Sequence, residues 1–263
     1  RLPEAITAFD NVLARLPDHA AAWRQRGIAY EFLQDDENAV ESYEKARQYD
    51  PRNEDLLSSE GKTFARLGRF EDAVRIFDSA LGISPDRGDL LYEKGLALSA
   101  LGRHDDAEVV FENAALNLPQ KAEPLYQRGL SLMNLLRYPD AVSAFSAAIR
   151  FNDKNPELWY QKGTGLSCLG QYQPAAEAFE KAIAIRPEDT RAHLGLARAL
   201  VEMEKYADAV RSFDVILGQH PDDAVSLYEK GIALFHQKEF KQSLATLEKA
   251  CGQDPENTDA LYH

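Results

Sequence analysis

The chain has 263 residues, 44% of them apolar and 10% aromatic, enough to build a packed core and to exclude a disordered chain. Its 43 acidic residues outnumber its 30 Lys and Arg for a net charge of −13, which disfavours binding to nucleic acid or an anionic membrane surface. No apolar stretch is long enough to cross a membrane.

Residues 1–19 read as a single helix, with Leu2, Ile6, Phe9 and Leu13 at helical spacing and Pro3 in the first turn, where a missing N–H costs nothing. From residue 20 a pattern of 34 residues begins and recurs as 20–53, 54–87, 88–121, 122–155, 156–189, 190–223 and 224–257; residues 258–263 open a further copy. Glycines at 27, 61, 95, 129, 163 and 231 mark it, with Ala197 in the open place. Prolines at 17, 51, 85, 119, 187, 221 and 255 mark it again, with Asp153 in the gap. Phe9, Tyr43, Phe77, Phe111, Phe145, Phe179, Phe213 and Leu247 share one register, and the small residues from Ala5 to Ser243 share another.

Within 88–121, Leu91, Gly95 and Leu98 line one helical face, Gly102 ends that helix, Ala107, Phe111 and Ala114 line a second, and Pro119 closes it. Gly68 and Gly170 stand in the same turn position as Gly102. Each copy therefore predicts a helix, a short turn and an antiparallel helix. One such hairpin cannot bury its apolar face alone, so copies must stack. No segment alternates with the period of a strand. The expected fold is all-α, an α-solenoid of antiparallel helix pairs in one array.

These units resemble the tetratricopeptide repeat, whose length is 34 residues and whose pattern 156–189 carries as Trp159, Gly163, Leu166, Ala175, Phe179, Ala182 and Pro187. The resemblance implies a right-handed superhelix whose first helices line a concave groove. The unit 190–223 departs most: His193 replaces the large apolar residue, Ala197 replaces the glycine, and Gly195 should cost its helix roughly 1 kcal/mol. Before the signature glycine stands a cation, Arg26, Lys94, Arg128, Lys162 or Lys230, where the family usually has an apolar residue. Glu60 and Leu196 interrupt that row, which reads as side chains lying along the surface to meet the acids of second helices.

Nothing predicts catalysis. The six histidines offer no pair at i, i+3 or i+4 for a metal, and no P-loop, dinucleotide fingerprint or nucleophile elbow occurs. No cofactor or metal is expected. Cys168 and Cys251 cannot form a disulfide framework and fit a reducing compartment, suggesting the cytoplasm. The opening Arg-Leu-Pro-Glu and the closing Leu261-Tyr262-His263 both read as cuts through a longer protein.

With the family's geometry, the second, fifth, ninth and twelfth residues of each unit face the groove. They give an acidic row (Asp55, Asp89, Glu123, Glu157), a tyrosine row (Tyr92, Tyr126, Tyr160, Tyr228) and a floor of Leu96, Leu130, Met133 and Thr164. The resemblance implies an interaction scaffold for a protein or peptide segment, and the acidity favours a neutral or basic one. The family's carboxylate clamp is absent, since only Arg24 holds a cation at the fifth place and its ninth-place companion is Ile28. Two alternatives are self-assembly through the open ends and a non-catalytic arm of a larger enzyme or sensor.

Overall fold

The computed structural model describes residues 1–253. Among these there are fifteen α-helices and no strand, and no helix is long and apolar enough to cross a membrane. Residues 254–263, including Pro255 and the stub 258–263, lie outside the described residues. The helices divide between two compact units, Arg1–Leu135 and Leu136–His263.

The first unit holds α1 (Leu2–Leu13), α2 (Ala20–Phe32), α3 (Asp36–Tyr49), α4 (Glu54–Arg66), α5 (Phe70–Leu81), α6 (Gly88–Ala100), α7 (His104–Asn117) and α8 (Glu123–Asn134). Each helix packs on the next in sequence, and α4 with α6 and α6 with α8 also touch, so successive first helices lie side by side. Phe64, Phe77 and Phe111 are fully buried in a core shared with Leu57, Leu90 and Leu98.

The second unit holds α9 (Tyr138–Ile149), α10 (Pro156–Cys168), α11 (Tyr172–Ile185), α12 (Thr190–Glu202), α13 (Tyr206–Gln219), α14 (Ala224–His236) and α15 (Phe240–Gln253). Here too neighbours in sequence pack together, and α10 touches α12. Phe179 and Phe213 centre its core, with Leu166, Leu196, Leu200 and Ile216 around them.

Local chemistry sets the helix ends. Side chains just before first helices accept from backbone N–H groups of the first turn: Asn53 from Leu56 at 3.1 Å, Asn155 from Glu157 at 3.0 Å, Asp189 from Arg191 at 3.1 Å and Asp223 from Ser226 at 2.9 Å. First helices end on a left-handed residue. Gly68, Gly102 and Gly170 take φ of +72°, +73° and +70°, as their composition suggests. Gln34, Leu136, Glu204 and Lys238 adopt the same conformation with a side chain attached, at φ between 58° and 66°.

The glycine register has a steric cause. A Cβ on Gly163 would lie 2.8 Å from the Phe179 ring, and one on Gly95 would lie 2.5 Å from Phe111. Gly195 corrects a sequence-based expectation. It is not simply a weak point of α12, because a Cβ there would lie 2.6 Å from the same Phe179 ring. Phe179 is held between glycines of two successive first helices, and α12 runs unbroken through thirteen residues.

Candidate functional site

In the first unit the acidic row is largely occupied. Asp55 meets Arg24 at 3.8 Å. Asp89 accepts from Arg87 Nε at 2.8 Å and Nη2 at 2.6 Å, and this guanidinium holds its carboxyl below the usual carboxylate range. Glu123, in the first turn of α8, is exposed and has no ion-pair partner among the described residues.

The Tyr92 ring lies 6.0 Å from Phe111, and burial pushes its phenol up against an opposing hydrogen bond from Gln127. Tyr126, Leu130 and Met133 are half-buried on α8, and Leu96 packs against the core from α6. Near the start of the unit, a cavity of about 730 Å³ is lined by Ile28, Phe32, Gln34 and a charged cluster. There Glu31 accepts from Arg66, Thr63 and Tyr43, each at 2.7 Å, and Arg66 also reaches Asp36 at 2.7 Å. Burial first, then Glu31, raises the Tyr43 phenol far above its ordinary value.

In the second unit Glu157 accepts from Gln161 and from Arg191, both at 2.9 Å. Arg191 also lies 4.8 Å from the Tyr160 ring, whose centroid is 5.9 Å from that of Phe179. The Thr164 hydroxyl turns back to donate to the Tyr160 carbonyl at 3.0 Å. Tyr228 lines a cavity of about 370 Å³ with Arg198, Val201, Glu202, Glu229 and Ile232. Arg198 holds Glu229 in a bidentate contact, with Nε at 3.0 Å from both oxygens and Nη2 at 2.5 Å.

The four acids, four tyrosines and four floor residues thus stand on α4, α6 and α8 of one unit and on α10 and α14 of the other. In the first unit α6, which carries Tyr92, touches α8. In the second, Arg191 ties Glu157 and Tyr160 of α10 to α12. The sequence reading missed Arg191, Arg198, Val201 and Ile232, although they occupy the second, ninth, twelfth and ninth places of their units. It also missed Phe32 and Arg66, which stand at the thirteenth place of their units, just past the four groove-facing places. The signal was the register itself, followed past the acidic and tyrosine rows into units whose residues differ.

The cations before the glycines meet acids sixteen residues upstream: Arg26 with Asp10 at 2.8 Å, Lys94 with Asp78 at 2.6 Å, Arg128 with Glu112 at 3.0 Å and Lys230 with Asp214 at 2.6 Å. Glu60 is fully buried and its burial pushes the carboxyl up; Arg47 at 2.9 Å supplies the opposite charge from the preceding second helix. No group of three or more His, Cys, Asp or Glu is placed to hold a metal among the described residues, and both cysteines are free thiols.

Two family models described as tetratricopeptide repeat match the chain, one over residues 64–133 and 169–230, the other over 20–53. The chain belongs to the tetratricopeptide repeat family. No curated protein matches it in sequence. Among solved structures, the C-terminal part of a TPR repeat-containing protein from Cytophaga hutchinsonii aligns with a TM-score of 0.78 at 15% identity, over 90% of this chain and 97% of that one. A tetratricopeptide repeat protein from Parabacteroides merdae aligns at 0.64 and 21%, over 92% and 96%. YrrB, described as a TPR protein with an unusual peptide-binding site, aligns at 0.65 and 22%, over 71% and 96%. At such identities these likenesses speak for the fold. Tetratricopeptide repeats act in general as interaction scaffolds.

Proposed function

We propose that this chain binds an extended peptide or protein segment along the first helices of its repeats. The candidate contacts are Asp55, Asp89, Tyr92, Leu96, Glu123, Tyr126, Leu130 and Met133 in the first unit, and Glu157, Tyr160, Thr164 and Tyr228 in the second. The observation that carries the reading is the cavity at Tyr228. It combines an apolar floor of Val201 and Ile232, an aromatic wall and a fixed Arg198–Glu229 pair, the mixture that anchors one side chain of a ligand and orients its backbone. YrrB is described as having a peptide-binding site, which supports a ligand of the same class here. The net charge of −13, with Glu123 and Glu202 exposed, favours a neutral or basic segment.

As for tetratricopeptide repeats in general, the role we read for this surface is that of a scaffold. Cytoplasmic placement rests on the two free thiols. Peptides selected from a random library test the reading, with affinities measured by calorimetry. Tyr228→Ala with Ile232→Ala should weaken binding by about 2 kcal/mol or more, the size of a hot-spot truncation. Helical circular dichroism should be retained. Unchanged affinity in a folded double variant would reject the site.

A further inference from the structure

Among the described residues, one of the sixteen-residue ion-pair places lacks its cation, and nothing stands in for it. Four pairs are complete, at Asp10–Arg26, Asp78–Lys94, Glu112–Arg128 and Asp214–Lys230. At Glu44 and Glu60 two acids face that spacing, and Arg47 supplies the charge. At Ser146 and Lys162 the acid is lost, and the Lys162 ammonium rests 5.6 Å from the Trp159 ring. At Glu180 the sixteenth residue onward is Leu196. Glu180 is exposed and has no hydrogen-bond or ion-pair partner among the described residues.

A cavity of about 420 Å³ opens at this spot, between α11, α12 and α13. Glu180 lines it together with His193 and the apolar side chains of Leu196, Leu200, Ile183 and Val215. Asp208 and Arg211 also line it, but they neutralise each other at 2.5 Å. His193 is 8% exposed. Its Nε2 lies 2.9 Å from the Pro187 carbonyl, which can only accept, so the proton sits on Nε2. In the neutral ring Nδ1 is then an acceptor, and it is buried with no partner.

We propose that the furrow between α11, α12 and α13 binds a lysine or arginine side chain of a protein partner, which fills the place that an internal cation takes opposite its acid in four other repeats. The aliphatic stem lies along Leu196, Leu200 and Ile183, as the stems of long cations do on apolar surface, and the charged head meets Glu180. The protein's net charge of −13 draws such a side chain in. This surface is separate from the Tyr228 cavity, and neither reading needs the other.

The test uses the whole chain and n-butylammonium, a lysine side chain without its backbone, with n-butanol as the neutral control. Methyl and imidazole NMR signals are followed through the titration. The expected result is a saturable shift at Leu196, Ile183, Leu200 and His193 with the cation, and a much weaker one with the alcohol. Glu180→Gln, at an exposed site, should weaken the cation by roughly tenfold, as loss of a charge-assisted contact does. Leu196→Lys, which restores the internal cation, should abolish the shift while the helical spectrum is kept. Equal shifts with n-butanol, an unchanged response in Glu180→Gln, or no saturable shift in the native chain would each overturn the proposal.

Discussion

Repeats 156–189 and 190–223 are neighbours with the same architecture, yet they differ at three signature places, Trp159 against His193, Gly163 against Ala197 and Ala182 against Ile216. In the first, the Trp159 indole N–H donates to the Asp153 carbonyl at 2.8 Å. In the second, His193 Nε2 makes the same contact with Pro187 at 2.9 Å, again six residues back. Gly163 is answered by Ala197, Lys162 by Leu196, and the turn residue Gly170 at φ +70° by Glu204 at +58°. Both first helices are thirteen residues long. The comparison teaches that a repeat position specifies a physical task, such as a ring N–H for one carbonyl or a small residue beneath an aromatic ring. Several residue types can perform it. Where a task goes undone, as the cation's does at Leu196, a cavity and an unpaired carboxylate mark the place.

The contact that joins the two repeats is the most sensitive point. Phe179 fills space against glycines of both, so Phe179→Ala should lower unfolding free energy by about 3–5 kcal/mol in urea titrations. A loss below about 1 kcal/mol would mean that the glycines are not there for the ring. Next comes Gly195→Ala. Helix propensity alone would stabilise α12 by roughly 1 kcal/mol. The ring 2.6 Å away should reverse that sign and give a net loss of about 1–3 kcal/mol. Gly218→Ala in α13, with nothing within 4 Å of its Cβ, is the control and should be neutral or stabilising. If both alanines stabilise equally, packing against Phe179 is excluded as the reason for Gly195.

The turn difference is smaller. Glu204→Gly should raise stability by roughly 1 kcal/mol, because it relieves a left-handed residue of its side chain. Gly170→Ala should lower it by a similar amount in the same assay.

The smallest effect concerns the caps, Asn155 in one repeat and Asp189 in the other. Burial would raise the Asp189 carboxyl, but Arg191 and the backbone N–H groups of Ala192 and Arg191 outweigh it and hold it low. Its contribution is complete above the unfolded-state value near 3.8 and is lost as pH falls through the lower folded-state value. Asp189→Asn should keep the cap yet flatten the acid limb of a plot of Tm against pH. An unchanged acid limb would show that Asp189 does not titrate differently on folding.

Much of this was legible in the sequence because a period of 34 residues repeats its evidence. A single Gly or Phe says little, but Gly95 with Gly61 and Gly163, each sixteen residues before an aromatic ring, says that a small residue meets a large one. The same logic failed at Gly195, which falls outside the register and reveals its partner only in three dimensions. The left-handed turns at Gln34, Leu136, Glu204 and Lys238 were hidden because no glycine marks them. At Glu204 the turn is set by helix-ending bonds such as the Lys205 N–H to the Leu200 carbonyl at 2.8 Å. In the candidate site the rows could be placed, but not what the acids and tyrosines do there. Asp89 is clasped by Arg87, Glu157 by Arg191 and Glu229 by Arg198, through long side chains whose rotamers local sequence does not dictate.

Binding along the first helices is the central claim, and photo-crosslinking tests it most directly. A library-selected peptide carrying a photoreactive group at successive positions is bound to the whole chain, irradiated, and the labelled residues are read by mass spectrometry. The account predicts labels on the first helices α10, α12 and α14, at Tyr160, Thr164, Arg198, Tyr228 and Ile232. Labels confined to the second helices α11, α13 and α15 would contradict it.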